Sequence, residues 1–134
     1  MEGMKWLLVV LVVAAAACKE VSGPSAPVGQ DFTLAPGERV TIEDTSTRVK
    51  FLRVDGDSRC PADAICIQGG DALVKIEVDS SGGSREQLDL HTGSMAPVQY
   101  RGMTISLVQL MPYPFSSQPI KPDDYRATLR VVRP

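Results

Sequence analysis

Hydrophobic and polar residues alternate along most of the chain from residue 31 onward. In the clearest run, residues 72–78, four apolar side chains fall on one face: Ala72, Val74, Ile76 and Val78. Strict alternation over this length is typical of a half-buried β-strand. A Gly- and Ser-rich stretch follows at 79–84, and residues 85–91 then alternate again, with Leu88 and Leu90 facing inward. Two alternating runs joined by a turn predict a β-hairpin.

Five further runs predict strands, over residues 39–43, 49–54, 95–100, 103–110 and 125–132. Apolar residues occupy both faces of 49–54, which indicates a central strand or one that carries a β-bulge. Within 103–110 the apolar face switches near Leu107, and a bulge there would explain the switch. No run after residue 17 shows sustained helical periodicity.

The pattern predicts a single all-β domain over residues 31–134. Seven or eight short strands separated by turn signals are typical of an antiparallel β-sandwich, immunoglobulin-like or similar, or of a small barrel. Ten prolines and eleven glycines supply the frequent turns that such a fold needs. We expect the sandwich, with one disulfide.

The first 17 residues have the features of a secretory signal peptide. Lys5 gives a positive flank, and the uncharged stretch from Trp6 to Ala17 is 12 residues long. A helix that spans a bilayer needs about 20 apolar residues, so this stretch predicts a signal peptide over 1–17. Either Met1 or Met4 could be the start.

Two cleavage sites fit the end of this segment. Ala15-Ala16-Ala17 satisfies the small-residue pattern of ordinary signal peptidase. Followed by Cys18, the same residues resemble the bacterial lipobox, although Ala15 stands where Leu is usual. In a lipobox the cysteine is acylated and becomes the mature N-terminus. We expect Cys18 to be lipidated, which places the protein in the cell envelope, in the outer membrane if the host is Gram-negative. Without lipidation it would be secreted or periplasmic.

The cysteine count supports this interpretation. The chain has three cysteines, and an odd cysteine in a secreted protein requires an explanation. If Cys18 carries lipid, Cys60 and Cys66 remain as a pair in an oxidising compartment, where a disulfide is stable. A redox motif would have two intervening residues rather than five, and zinc would need two further ligands.

Residues 18–30 predict a lipidated N-terminus followed by a flexible tether. The segment 19–30 contains small residues, Pro and Gly and has no apolar periodicity. Twelve such residues span about 20 Å. The tether should therefore hold the domain clear of the lipid headgroups.

The charge balance excludes one class of partner. With 14 Lys and Arg against 16 Asp and Glu, the net charge is −2. A near-neutral acidic chain has no electrostatic surface for nucleic acid. The expected partners are the membrane, through the N-terminal lipid, and an unidentified envelope protein or ligand.

Acidic residues cluster around the two later cysteines, at Asp55, Asp57, Asp63 and Asp71. Such a density of carboxylates could hold calcium, but the spacing is not that of a calcium loop. The competing interpretation is that Asp57 and Ser58 cap a turn while Arg59 pairs with a nearby carboxylate. We favour the second interpretation and expect neither a metal nor a cofactor.

His91 is the only histidine, and hence the only imidazole base available for catalysis. The chain has no G-x-S-x-G motif, and a Cys–His pair would require a free Cys60 or Cys66. We therefore expect an exposed His91 and no enzymatic activity.

The segment Met111-Pro112-Tyr113-Pro114-Phe115 is the most suggestive one outside the strands. Alternate prolines favour an extended backbone, which would hold Tyr113 and Phe115 outward as a partner surface. The competing interpretation, which we favour, is that the two aromatic side chains cover one end of the sandwich under a long loop that runs to Pro122.

Several short motifs are similar to those of a known group of proteins. The first is FLRVDGDSRCP at 51–61, followed by Cys66 and by Gly69-Gly70; LMPYP at 110–114 and PDDY at 122–125 also fit. They resemble a family of small, largely uncharacterised bacterial secreted proteins and lipoproteins. Many members carry an aromatic residue shortly after the second cysteine, where this chain has Gln68. The resemblance implies the fold and the location and supplies no activity.

Together these features predict a lipid-anchored envelope protein with a non-catalytic binding or structural β domain. The alternative is a secreted peptidase inhibitor of the immunoglobulin-like kind, which presents loops at one end of a sandwich. That alternative rests on architecture alone.

Overall fold

Nine β-strands form two sheets in residues 23–134, the part of the chain that a computed structural model describes. They are β1 (Ser25–Ala26), β2 (Asp31–Leu34), β3 (Arg39–Ile42), β4 (Thr47–Asp57), β5 (Ala72–Ser80), β6 (Glu86–His91), β7 (Val98–Tyr100), β8 (Met103–Met111) and β9 (Arg126–Val132). A short 3₁₀ turn, Pro122–Asp124, precedes β9. The predicted signal peptide and Cys18 lie outside the described residues.

The two sheets have the strand orders β1-β3-β4-β5-β6 and β2-β9-β8-β7. All pairs are antiparallel except β1 with β3. Each order is open, so the fold is a sandwich of two sheets and not a barrel. Within residues 23–134, no helix is long and apolar enough to cross a membrane.

The core lies between the inner faces of the two sheets. The first sheet contributes the fully buried Phe51, Ile76 and Leu90, and the second contributes Ile105, Leu129 and Val131. Along β5 buried residues alternate with partly exposed ones, as the period of two in the sequence predicts. Burial of one alternating face of every long strand is the main stabilising term of such a fold.

The predicted hairpin and the predicted bulge near Leu107 are confirmed, and β4 is both central in its sheet and bulged, the two possibilities that its pattern left open. Strands β5 and β6 pair from Leu73 opposite His91 to Val78 opposite Glu86. The register of β4 against β5 shifts between Phe51 and Arg53, and that of β8 against β9 shifts between Leu107 and Gln109. The second shift leaves Val108 exposed and returns Leu110 to the buried face.

The predicted tether differs from the structure in its last part. Ser25 and Ala26 pair with Thr41 and Ile42, and the Ala26 side chain is buried. Gly29 donates its backbone N–H to the carbonyl of Val131. The ordered domain therefore begins before the predicted boundary at residue 31. A two-residue strand with one buried side chain has no periodicity, so the sequence could not reveal it.

Candidate functional site

Two loops meet at one end of the sandwich, which we call the disulfide end. One loop follows β4 and contains residues 60–70, and the other follows β8 and contains residues 111–120. The backbone N–H of Ala62 donates to the Pro114 carbonyl at 2.8 Å, and that of Ser116 donates to Asp63 Oδ1 at 2.9 Å. The Ser116 hydroxyl donates to the other oxygen of the same carboxylate. The second loop is thus fixed onto the first.

The predicted Cys60–Cys66 disulfide is present, with the two Cα atoms 6.0 Å apart. The bond closes residues 60–66 of the first loop into a ring. Gly70 ends the loop where the chain passes the Ser58 backbone. A Cβ atom at Gly70 would lie 1.5 Å from the Ser58 carbonyl oxygen, so only glycine fits.

Hydrogen bonds from the Arg59 side chain connect the end of β4 to the loop after β8. Its Nε and Nη2 donate to the two carboxylate oxygens of Asp57 at 2.9 and 2.7 Å. Its Nη1 donates to the Leu110 carbonyl at 2.8 Å, and Nη2 also donates to the Pro112 carbonyl at 2.9 Å. Only 9% of the side chain is exposed. Planar guanidinium groups suit this forked arrangement, and an ammonium group could not reproduce it.

Asp57 also accepts a hydrogen bond of 2.9 Å from the Tyr125 hydroxyl, which brings the start of β9 into the network. Burial alone would raise the pKa of Asp57, but the hydrogen bonds from Arg59 and Tyr125 outweigh it, and the pKa lies below its usual value. Burial and the Asp57 carboxylate raise the pKa of Tyr125 to about 12. The network is therefore an ion pair with a neutral phenol at neutral pH.

A groove of about 350 Å³ opens beside this network. Tyr113 and Phe115 line it with half of their side chains exposed, 53% and 50%. Its other walls are Ala62, Met111, Pro112, Gln118, Pro119, Ile120 and Asp124. The favoured interpretation, in which Tyr113 and Phe115 cover one end of the sandwich, does not fit these half-exposed side chains, and outward exposure does. They cover little of the core and stand at the wall of an apolar depression.

Tyr113 also borders a second, smaller hollow of about 240 Å³. Met95 and Val108 line that hollow, and both are partly exposed. The guanidinium of Arg59 lies 5.8 Å from the centre of the Tyr113 ring, within the range of a cation–π contact. Tyr113 is thus supported on its inner side by the same arginine that fixes the loop.

The aspartates around the cysteines have separate partners and do not form a cation site. Asp55 pairs with Arg53, Asp57 with Arg59, and Asp63 with Ser116. Within residues 23–134, no three His, Cys, Asp or Glu side chains lie close enough together to hold a metal ion. The preferred interpretation of Asp57 is confirmed, since it accepts the Arg59 backbone N–H at 3.2 Å and pairs with the Arg59 side chain.

His91 is exposed, as predicted, and its Nδ1 lies 2.5 Å from Asp71 Oδ2. Although burial acts to raise the pKa of Asp71, hydrogen bonds from Gly93 and His91 lower it overall. Ser58 and Ser94 line the same open hollow. The Ser58 hydroxyl donates to the Asp71 carbonyl, and that of Ser94 accepts from the Ala96 N–H. Neither serine is hydrogen-bonded to the imidazole, so the described residues show no serine–histidine pair.

Two residues with a prominent position were not among the predicted site residues. Ile65 and Ile67, on either side of Cys66, have completely exposed side chains. The sequence does contain a sign of their exposure, because the two isoleucines lie in a segment that lacks the alternating pattern of a half-buried strand. The role of Tyr125 was also missed, because its partner Asp57 lies 68 residues away in the sequence.

Comparisons with models of known protein families, with curated proteins and with solved structures find no match to this chain.

Proposed function

We propose that this chain is a lipid-anchored protein of the bacterial cell envelope whose β-sandwich is a non-catalytic binding module. The observation that supports a binding role is the groove with the half-exposed Tyr113 and Phe115. Aromatic side chains that remain exposed on a rigid support are enriched at binding surfaces. The anchor is supported by the sequence from Lys5 to Cys18.

The loop that carries the two aromatic residues is held in place before any partner arrives. Arg59 fixes the carbonyls of Leu110 and Pro112, and Ala62 and Asp63 fix Pro114 and Ser116. A preformed surface loses little conformational entropy on binding, which favours affinity. The lining of the groove is mainly apolar, so we expect its partner to present an apolar segment.

Site-specific photocrosslinking in living cells tests the binding role. A photoreactive phenylalanine analogue at position 115 should crosslink one defined envelope partner, whereas the same analogue at Ser81, at the opposite end of the sandwich, should not. Phe115→Ser should weaken recovery of that partner without changing the melting temperature. Equal crosslinking from positions 115 and 81 would contradict the proposal.

The anchor is tested by fractionation. The wild-type chain should sediment with membranes and partition into detergent, because bacterial lipoproteins carry two or three acyl chains and one alone gives only marginal attachment. Cys18→Ala should leave precursor or move the protein to a soluble fraction, with the β domain still folded. A wholly soluble wild-type protein with an unmodified Cys18 would contradict the anchor. Inhibition of a peptidase by micromolar soluble protein would instead favour the inhibitor alternative.

A further inference from the structure

The large apolar side chains that are exposed within residues 23–134 all lie at or beside the disulfide end: Ile65, Ile67, Met95, Val108, Met111, Tyr113 and Phe115. Five of them belong to the groove or to the adjoining hollow. Ile65 and Ile67 line neither, and they project from the loop that the disulfide closes. We call these two residues, with Cys66 between them, the tip.

The tip is more exposed than any other large apolar part of the described chain. Ile65 and Ile67 are both completely exposed. Exposed isoleucines are unfavourable in water, because moving their apolar surface out of water lowers the free energy. A disulfide-closed loop holds both of them outward at once.

The loop segments around the tip carry little charge. The segments 60–70, 93–98 and 111–120 contain one charged residue, Asp63, whose carboxylate binds Ser116. Turns at the opposite end carry Glu43, Asp44, Arg85 and Arg101. The nearest charged residues beyond the second loop are Lys121, Asp123 and Asp124. Asp71, Lys121, Asp123 and Asp124 lie at the same end but outside these segments, so it is the immediate surroundings of the tip that are poor in charge and suit an apolar environment.

The path of the chain indicates what that environment is. Strand β1 runs parallel to β3, and the Pro24 carbonyl accepts from the Thr41 N–H, so the described chain enters from the side of the disulfide end. Ser25 lies beside Thr41, so Gly23 is about level with Arg39, which is opposite Lys50. Seven residues of β4, about 23 Å, separate Lys50 from Asp57 at the disulfide end.

Cys18 precedes Gly23 by five residues, which reach at most about 18 Å. At full extension on the side from which the chain enters β1, this segment would bring Cys18 to about 5 Å short of the level of Asp57, on the same side of the domain as the disulfide end. Strand β1 itself runs from the side of the disulfide end toward the opposite end.

We propose that the tip inserts into the surface of the bilayer that holds the Cys18 lipid, so that the domain is attached at two points. This inference rests on the proposed lipid anchor. Amphipathic helices that lie on a bilayer bury their apolar face about 5–10 Å into the boundary between headgroups and acyl chains, a depth within reach of two side chains on a projecting loop. The groove, which Ala62 lines at the base of the same loop, would then open close to the membrane surface.

A single tryptophan can report the depth of the tip. The only tryptophan is Trp6, inside the predicted signal peptide, so the processed chain should have none. The protein, purified as its host processes it, is mixed with vesicles of phosphatidylethanolamine and phosphatidylglycerol that contain lipids brominated near the headgroup end of the acyl chain. Ile67→Trp is compared with Ser81→Trp, whose side chain lies in an exposed turn at the opposite end. Far-ultraviolet circular dichroism verifies that both variants fold.

We expect the emission of Ile67→Trp to shift to the blue and to be quenched several-fold more strongly than that of Ser81→Trp. Ile65→Ser in the Ile67→Trp background should reduce the quenching, because it removes half of the apolar tip. Co-sedimentation with the vesicles is measured in the same samples.

Three results overturn the inference. If the protein sediments with the vesicles and the two tryptophans are quenched equally, the anchor stands and the insertion of the tip is wrong. A blue shift without bromine quenching means that protein, either a second copy or another chain, covers the tip. A chain that does not sediment with the vesicles overturns the anchor and the inference together.

Discussion

Arg59 and Asp57 lie two residues apart and form a two-pronged ion pair with nitrogen–oxygen distances of 2.9 and 2.7 Å. The pair is largely buried, with 9% and 11% of the two side chains exposed. Because the arginine also binds the Leu110 and Pro112 carbonyls, a local pair at the end of β4 determines where the loop after β8 lies. The position of the aromatic groove thus depends on one guanidinium group.

Arg59→Ala should strongly destabilise the domain. It removes the partner of a largely buried carboxylate, a change that typically lowers the free energy of unfolding by about 3–5 kcal/mol. Arg59→Lys should lose much of the same stability, because an ammonium group cannot form the forked contact. Arg53→Ala is the matched control, since its pair with Asp55 is exposed and contributes about 1 kcal/mol or less. Urea denaturation measures all three, and equal losses for Arg59→Ala and Arg53→Ala would contradict the role of the network.

Loss of the disulfide should have a moderate effect. The bond joins cysteines six residues apart, and a loop of this length stabilises a fold by about 2 kcal/mol in the chain-entropy model. Replacing both Cys60 and Cys66 with Ser should lower the free energy of unfolding by that amount and leave the sheets intact in circular dichroism. Two free thiols in natively purified protein would show that the bond does not form.

The register of β5 is tested by substitutions at neighbouring positions. Ile76 is fully buried, so Ile76→Asp should unfold the domain, because an unpaired carboxylate would enter the core. Lys75 points away from the core and pairs with Asp89 at 2.8 Å. Lys75→Asp should be tolerated with a small loss, since it places like charges opposite each other, and Lys75→Gln should be nearly neutral. Equal melting temperatures for Ile76→Asp and Lys75→Asp would show that the register is wrong.

Acid should weaken the fold through Asp57. Burial acts to raise the pKa of this carboxyl, but the hydrogen bonds hold it below the ordinary value of 3.8. A group with a lowered folded pKa contributes stability above its unfolded pKa and loses it as the pH falls through the folded pKa. The free energy of unfolding should therefore fall as the pH drops below 3.8.

Asp57→Asn provides the comparison for this pH dependence. The variant should be less stable at neutral pH and should show a shallower decline in acid, measured by urea denaturation over a series of pH values. The decline should not vanish, because the Ser116 hydrogen bonds at Asp63 and the Gly93 and His91 hydrogen bonds at Asp71 also lower their pKa values. An unchanged slope in Asp57→Asn would contradict the assignment.

Local patterns predicted most of the sandwich because its strands bury one face. The alternation at 72–78 and the irregular apolar faces of 49–54 and 103–110 indicated the hairpin, a central or bulged β4 and the bulge near Leu107. The disulfide followed from the cysteine count. The approach of Tyr125 to Asp57 had no such signal, because it depends on how the two sheets meet.

The candidate site was predicted in part for the same reason. Alternate prolines left both outward exposure and cover of the sandwich end open for Tyr113 and Phe115, since proline restricts the backbone locally but does not show what lies beneath it. The groove beside them depends on contacts between two loops that are some 50 residues apart, such as Ala62 with Pro114 and Asp63 with Ser116. Periodicity carries no information about contacts of that kind.

The short strand β1 has a consequence for how the domain can be handled. It occupies the outer edge of β3, and without it that edge would present unpaired backbone groups to other molecules. Open sheet edges invite pairing between chains and aggregation. A shortened protein that began at residue 31, the boundary that periodicity indicates, would lack β1 and should self-associate through the open edge of β3. A protein that kept Gly23–Gln30 should remain monodisperse.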